Sequence, residues 1–262
     1  MQSNISVLKP KIERFHAQRE YTLGYLALSY SCNEVDWLEK ASKTAIAAFG
    51  GGGRSFMDIG CGDGRLTKRL AASFEKVSFF EPNPISFSLA KSHMASFRGQ
   101  TDSRNNAFPM DQPLRFDVFD TVLISNALYH VEKTEWQSFF SAVSANMRKR
   151  GICIVALLNE DADTKKFVNC ANPSKEMLAA EDLLSIGGTL RELGLEIQDV
   201  RKINPMVRTH TPDASSLITD FLLGNARLSA STDAEVVREV RHRLAADGIS
   251  NSQSVITLRK MR

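Results

Sequence analysis

The chain has 262 residues, 43% of them hydrophobic and 24% charged, with 33 Lys plus Arg against 30 Asp plus Glu. That composition excludes a disordered, collagen-like or coiled-coil chain and sets the scale at one large domain, or one domain with an accessory part. A net charge of +3 over this length marks neither a nucleic-acid nor a membrane-binding surface.

The first twenty residues lack an apolar signal region, and the longest clean apolar run, Ile152 to Leu158, falls far short of the ~20 residues that span a bilayer. Cys32, Cys61, Cys153 and Cys170 have neither CxxC nor Cys/His metal spacing, so a reduced cytoplasmic setting without a metal is expected. Apolar positions at Ile12, Phe15, Leu23, Leu26 and Tyr30 predict an amphipathic helix, and Val35, Leu38, Ala41, Ala45 and Phe49 a second. Glycines 50 to 53 end it as a flexible joint.

Beyond Arg54, short apolar runs alternate with helical stretches, the pattern of a layered α/β domain with a largely parallel sheet. Strands are predicted over Ser55–Ile59, Lys76–Phe80, Asp120–Ser125 and Gly151–Leu158. Between them, Leu66, Leu70 and Phe74 form one helix face, and Asn83 before Pro84 reads as an N-cap. Trp136, Phe140, Val143 and Met147 line a helix that opens with Thr134 and Gln137 in capping-box spacing. Residues 99–116 are turn-rich and show no strand pattern. A helix over Glu181–Leu193 and a strand over Leu195–Ile203 follow, and the last strand is expected at Ser254–Leu258. The intervening stretch carries helical stripes at Leu217, Phe221, Leu222 and at Val236, Val240, Leu244. An insertion of about fifty residues between sheet elements is usually a lid or a functional unit.

The sharpest local signal is Asp58-Ile59-Gly60-Cys61-Gly62-Asp63-Gly64, a buried strand, a tight turn and a helix start. Glycines there let the backbone turn and approach a ligand, and the next helix offers free N–H groups. A dinucleotide fingerprint needs glycine at position 65, where Arg65 stands. Glu81 ends the second strand, where a carboxylate accepts hydrogen bonds from the vicinal hydroxyls of a ribose. Together they indicate an adenosyl ligand without a pyrophosphate; the plain alternative is a strand-to-helix turn beside a solvated strand end.

These residues resemble the Rossmann-like, class I S-adenosylmethionine-dependent methyltransferases. Asp58, Gly60, Gly62 and Gly64 match that family's first motif, Glu81 its ribose acid, and Phe119 to Val131 its fourth-strand segment. The resemblance implies a three-layer α/β fold with a seven-stranded, mostly parallel sheet whose last strand is antiparallel. It divides the chain into an N-terminal helical cap (1–53), a cofactor-binding core (54–203), a helical lid (204–253) and a closing strand (254–262). S-adenosylmethionine would be held by Asp58, Gly60, Gly62, Gly64, Glu81, Pro82, Ser86, Ser125 and Asn126, with no metal. Within the family the chain is most similar to histamine N-methyltransferase and its relatives, through Arg19-Glu20-Tyr21, Asn126 to Val131 and Asp220-Phe221-Leu222. Leu23 stands where that enzyme carries a substrate-binding glutamate and His130 where it has a tyrosine, so histamine itself is not implied.

The expected reaction is methyl transfer to a small acceptor, with an amine nitrogen first and a hydroxyl oxygen as the alternative. Further alternatives are RNA or protein methylation and cofactor binding without catalysis. In-line transfer from a sulfonium needs positioning, dryness and an unprotonated acceptor. Tyr129 and His130 are the expected catalytic pair, the imidazole titrating near neutrality. Tyr21, Tyr25, Asn126, Tyr129 and His130 would line the acceptor site, Tyr21, Tyr25 and Tyr30 forming a cluster that packing alone also explains. Cys61 has no basic partner in its sequence neighbourhood and is expected to be inert.

Overall fold

Nine strands occur in the computed structural model among the described residues, 19–50, 53–109, 118–171, 177–223 and 234–261. They are β1 (Ser55–Ile59), β2 (Lys76–Phe80), β3 (Gln100–Arg104), β4 (Phe119–Ser125), β5 (Met147–Leu158), β6 (Leu195–Ile203), β7 (Met206–Val207), β8 (Ile249–Ser250) and β9 (Gln253–Lys260). Seven of them form one sheet in the order β3-β2-β1-β4-β5-β9-β6. Strands β1 to β5 pair in parallel, and β9 runs antiparallel between β5 and β6.

Period two along the strands divides the core between two faces. On β5, Cys153, Val155 and Leu157 point one way and Ile152, Ile154 and Ala156 the other. The first face is covered by α5 (Trp136–Ala145), α7 (Ala180–Ser185) and α8 (Gly187–Glu192) through Trp136, Phe140, Leu183 and Leu190. The second is covered by α2 (Glu34–Phe49), α3 (Arg65–Ala71) and α4 (Pro84–Met94) through Leu38, Leu70 and Met94. A third apolar cluster lies apart from the sheet. There Cys32, Val207, Ile218, Leu222, Val240, Leu244 and Ile249 tie the end of α1 (described over 19–30) to the β7–β8 pair, α9 (Pro212–Leu222) and α10 (Ala234–Ala245).

The predicted elements recur with definite corrections. Strand β3 lies inside the stretch that showed no strand pattern; among the described residues it is an edge strand paired only with β2, and it reads Gln-Thr-Asp-Ser-Arg, half-exposed and without an apolar run. Met147 opens β5 instead of closing the preceding helix, because the pairing skips from Phe119↔Met147 to Thr121↔Ile152 and leaves residues 148–151 as a bulge. Helix α5 starts at Trp136 behind a 3₁₀ turn at Lys133–Glu135 with no side-chain cap, so the Thr134/Gln137 capping box does not form. The helix expected over Glu181–Leu193 breaks at Ile186 into α7 and α8. The glycine joint is not loose at its described ends: Gly50 is the left-handed C-cap of α2, and Gly53 lies flush against the Asp120 carboxylate, which accepts the Arg54 and Ser55 N–H groups. Ile12 and Phe15 fall outside the described residues.

Candidate active site

The glycine loop joins β1 to α3 at the carboxyl end of the sheet. Gly60, Gly62 and Gly64 all have positive φ, 74°, 57° and 78°. A Cβ at Gly64 would lie 2.7 Å from the Ala90 Cα, so α4 closes on the loop only because that position has no side chain. The loop's main chain is anchored by the Phe80 carbonyl, which accepts from Gly60 and Cys61 N–H at 2.9 and 3.0 Å. Asp63 Oδ1 accepts the Arg65 N–H at 3.2 Å, so the first amide of α3 is partly spent within the loop.

Glu81 sits one residue beyond β2. Its carboxylate accepts the Gly62 N–H at 2.9 Å and the Asn83 N–H at 2.7 Å, and Asn105 donates to its carbonyl at 2.8 Å. Two of about four carboxylate lone-pair sites are thereby used and the others are available to a ligand. Burial raises its pKa, against the pull of those two N–H groups. Pro82 is exposed, and Ser86 is buried in the first turn of α4, where its N–H donates to Asn83 Oδ1.

Asp58 is buried on β1. One oxygen accepts the Thr67 hydroxyl at 2.6 Å and the other has no hydrogen-bond partner. Burial raises its pKa to about 7, the Thr67 bond opposing and Glu81 adding. An adenosyl cofactor with an ammonium and a sulfonium fits these residues: an orphaned buried carboxylate oxygen, a glycine cradle and a ribose-competent acid. Negative charge dominates the loop. Burial, with Asp58, Glu81 and Asp63 adding, holds the Cys61 thiol well above its usual pKa, which disfavours the thiolate.

The second half of the site lies past β4, where Asn126, Tyr129 and His130 are expected from sequence and Glu34 is not. Glu34, the first residue of α2, is buried, and its carboxylate accepts from Asn126 Nδ2, from Gln253 Nε2 at 2.9 Å and from Asn251 Nδ2 at 3.2 Å. Burial raises its pKa while the Gln253 and Asn126 amides and Arg65 pull it down. Its hydrogen-bond partners come from two distant parts of the chain, and an acid in the first turn of a helix is ordinarily a solvated one, so only the polar run Asn251 to Ser254 entering an apolar strand hinted at the cluster. Leu23, the position compared with a substrate-binding glutamate, is 42% exposed.

Asn126, at φ 52°, follows Ser125 at the end of β4. Its Oδ1 accepts the Tyr129 hydroxyl at 3.3 Å, and that hydroxyl accepts the Leu158 N–H. Tyr129 is thus occupied in fixing Asn126 and the end of β5, and burial holds its pKa above the usual tyrosine range. His130 is exposed, with the Tyr21 ring edge-on 6.4 Å away. Tyr21 also packs 5.3 Å from Phe221 of α9, so α1, the turn after β4 and the late insertion meet at one aromatic rim. Burial and the Glu81 charge raise the Tyr21 pKa. Tyr25 lies elsewhere than the acceptor rim: a Cβ at Gly62 would be 2.5 Å from its hydroxyl oxygen. Tyr30 is 62% exposed and stacks on Arg65. Among the described residues no group of His, Cys, Asp and Glu is arranged to hold a metal, and no helix is long and apolar enough to cross a membrane.

Residues 57–153 match a family model described as a methyltransferase domain. A ubiquinone biosynthesis O-methyltransferase of Rhodopseudomonas palustris is 33% identical over 110 residues, 42% of each chain. One from Pseudomonas putida is 22% identical over 189 residues, 66% of this chain and 76% of the relative. The chain therefore aligns with less than half of the first relative and about three quarters of the second. A candidate methyltransferase of Bacillus halodurans has a similar fold, with TM-score 0.56, 16% identity, and coverage of 85% of this chain and 98% of the other. So does the [4+2]-cyclase SpnF, at TM-score 0.52 and 18% identity, covering 85% and 81%. Such distant structural likeness speaks for the fold and leaves chemistry to the site. The glycine loop and its acid both lie inside the matched stretch, so residues 57–153 form a methyltransferase domain, carried on a Rossmann-like methyltransferase fold.

Proposed function

We propose that the protein methylates a hydroxyl oxygen of a small organic acceptor. The observation that carries this reading is Glu34, a buried carboxylate with a raised pKa on the Asn126 side of the glycine loop. Bound S-adenosylmethionine supplies the electrophilic methyl group. The chain's part is to hold the donor through Asp58, the glycine loop and Glu81, with Ser125 and Asn126 beside it, and to present the acceptor to it. A hydroxyl oxygen becomes a competent nucleophile as it gives up its proton, and a carboxylate held by neutral amide donors is suited to receive that proton. The O-methyltransferase names of the relatives support oxygen over nitrogen.

On this reading, residues 54–203 with 254–262 form the catalytic core, and 1–53 with 204–253 close over the acceptor. The rim of Tyr21, Phe221 and His130 would cover an apolar or aromatic acceptor and exclude water. His130, exposed on that rim, orients the acceptor. An amine acceptor is the second reading, favoured by the negative charge at Glu34, which attracts an ammonium group. Incubation with S-adenosylmethionine carrying a 13C-methyl group and a panel of small phenols, alcohols and amines, and separately with bulk RNA and protein, tests both. Label on oxygen is the expected outcome, label on nitrogen alone selects the second reading, and label on RNA or protein alone overturns both.

A further inference from the structure

Helix α1 is fastened to the glycine loop, to Asn83 beside Glu81 and to the start of α3. At the glycine loop the Tyr25 hydroxyl lies against Gly62, the one approach that a side chain there would block. Beside Glu81, Asn83 Nδ2 donates to Thr22 Oγ1 at 2.9 Å while its Oδ1 caps α4. At the start of α3, the Arg65 guanidinium donates to Asp63 Oδ2 at 2.6 Å and to Ser29 Oγ, with Tyr30 stacked 3.7 Å from it. The same helix is pinned on the acceptor side, where a Cβ at Gly24 would lie 2.7 Å from the Phe221 Cβ.

The nature of these contacts differs from that of the core. Arg65 joins a fixed element, through Asp63, to a covering one, through Ser29 and Tyr30. Its contacts are polar and cation–π, and Leu23 and Tyr30 on α1 remain 42% and 62% exposed; Ala27 and Leu28 anchor the helix to the third apolar cluster, while its contacts with the loop itself are side-chain links. Such links break and re-form without unfolding an apolar core. A ligand bound between Asp58, Gly62 and Glu81 would neighbour Thr22 and Tyr25 of α1.

We propose that Arg65 is a positioning residue that latches α1 over the cofactor cleft and thereby sets the rate of cofactor exchange. The inference rests on the methyltransferase reading, because it requires an adenosyl ligand in the cleft. The test is the exchange of radiolabelled S-adenosylhomocysteine against excess unlabelled ligand on the full chain. Arg65→Ala is expected to speed dissociation at least ten-fold and to speed association as well, so that the equilibrium affinity changes less than either rate. Arg65→Lys, which keeps the charge beside Asp63 but not the planar stack, should fall between. The Ser29→Ala/Tyr30→Ala double variant leaves the glycine loop intact and should reproduce the acceleration, whatever Arg65→Ala does to folding. Protection of α1 from protease by S-adenosylhomocysteine should be strong in the wild type and lost in the double variant. Wild-type exchange rates in the double variant would overturn the latch. Loss of affinity through dissociation alone in Arg65→Ala would overturn it too, by showing that Arg65 holds the ligand itself. Wild-type protein that binds no S-adenosylhomocysteine would overturn the cofactor reading, and the latch with it.

Discussion

Replacing Glu81 by alanine removes the acid from the cofactor cleft without opening the apolar core. In the native protein the carboxylate accepts two loop N–H groups at 2.7 and 2.9 Å, and in the complex it would also accept the two ribose hydroxyls. A hydrogen bond to a charged group contributes roughly 1.5–3 kcal/mol, so two ribose bonds contribute about 3–6 kcal/mol at most. Water entering the emptied space recovers part of that, leaving an expected loss of about 3 kcal/mol, or ~100-fold in the S-adenosylhomocysteine dissociation constant. Glu81→Gln keeps one acceptor oxygen and should lose about ten-fold. Stability should change little, because the lost N–H acceptor is offset by removal of a buried charge whose pKa burial has already raised. Calorimetric titration measures the affinities and a thermal melt the fold. Affinity of Glu81→Ala within about threefold of wild type, in a protein with an unchanged melt, would refute the assignment.

The pKa of Asp58 is raised from 3.8 to about 7 on folding, so the native state holds the extra proton and stability falls as pH rises through that window. Asp58→Asn should flatten the slope, as read from denaturant midpoints at pH 5 and pH 8; a cation bound beside Asp58 drives that proton off, so affinity for S-adenosylmethionine should rise over the same range in the wild type only. Gly64→Ala places a side chain at φ 78° and 2.7 Å from the Ala90 Cα. Left-handed strain of about 1–2 kcal/mol plus the clash should lower the melting temperature by roughly 4–8 °C, and an unchanged melt would contradict the geometry. Glu34→Gln should lower turnover at least ~10-fold with S-adenosylhomocysteine affinity within about threefold, and should abolish an acid limb of the rate profile that the wild type shows above pH 4.5, the ordinary carboxylate value.

The cofactor half of the site was legible because it is local. Strand, glycine turn, helix and a second strand ending in an acid occupy residues 55 to 81, and each carries its own periodicity or turn signal. Strand β3 was not legible, since an edge strand with one neighbour needs no apolar run. The acceptor half was legible only in part. Tyr21 and His130 were recognised and do meet, but Glu34 draws its partners from positions 92, 217 and 219 residues away, a convergence that the sheet order alone creates. Tyr129 was expected at the methyl group from its place just past the fourth strand, and the sequence could not show that its hydroxyl accepts the Leu158 N–H.

The placement of β9 bears on how the chain comes off the ribosome. Its eight residues, Gln253–Lys260, are translated after every other strand described, yet they pair on one side with β5 and on the other with β6. Until they emerge, the sheet stops at β5, with an open, strongly apolar edge from Ile152 to Leu158, and β6 has no neighbour. Such an edge invites pairing with other chains. Nascent chains stalled before residue 253 should therefore be protease-sensitive and captured by holding chaperones, and release of the last strand should close the sheet and complete the polar cluster around Glu34 together.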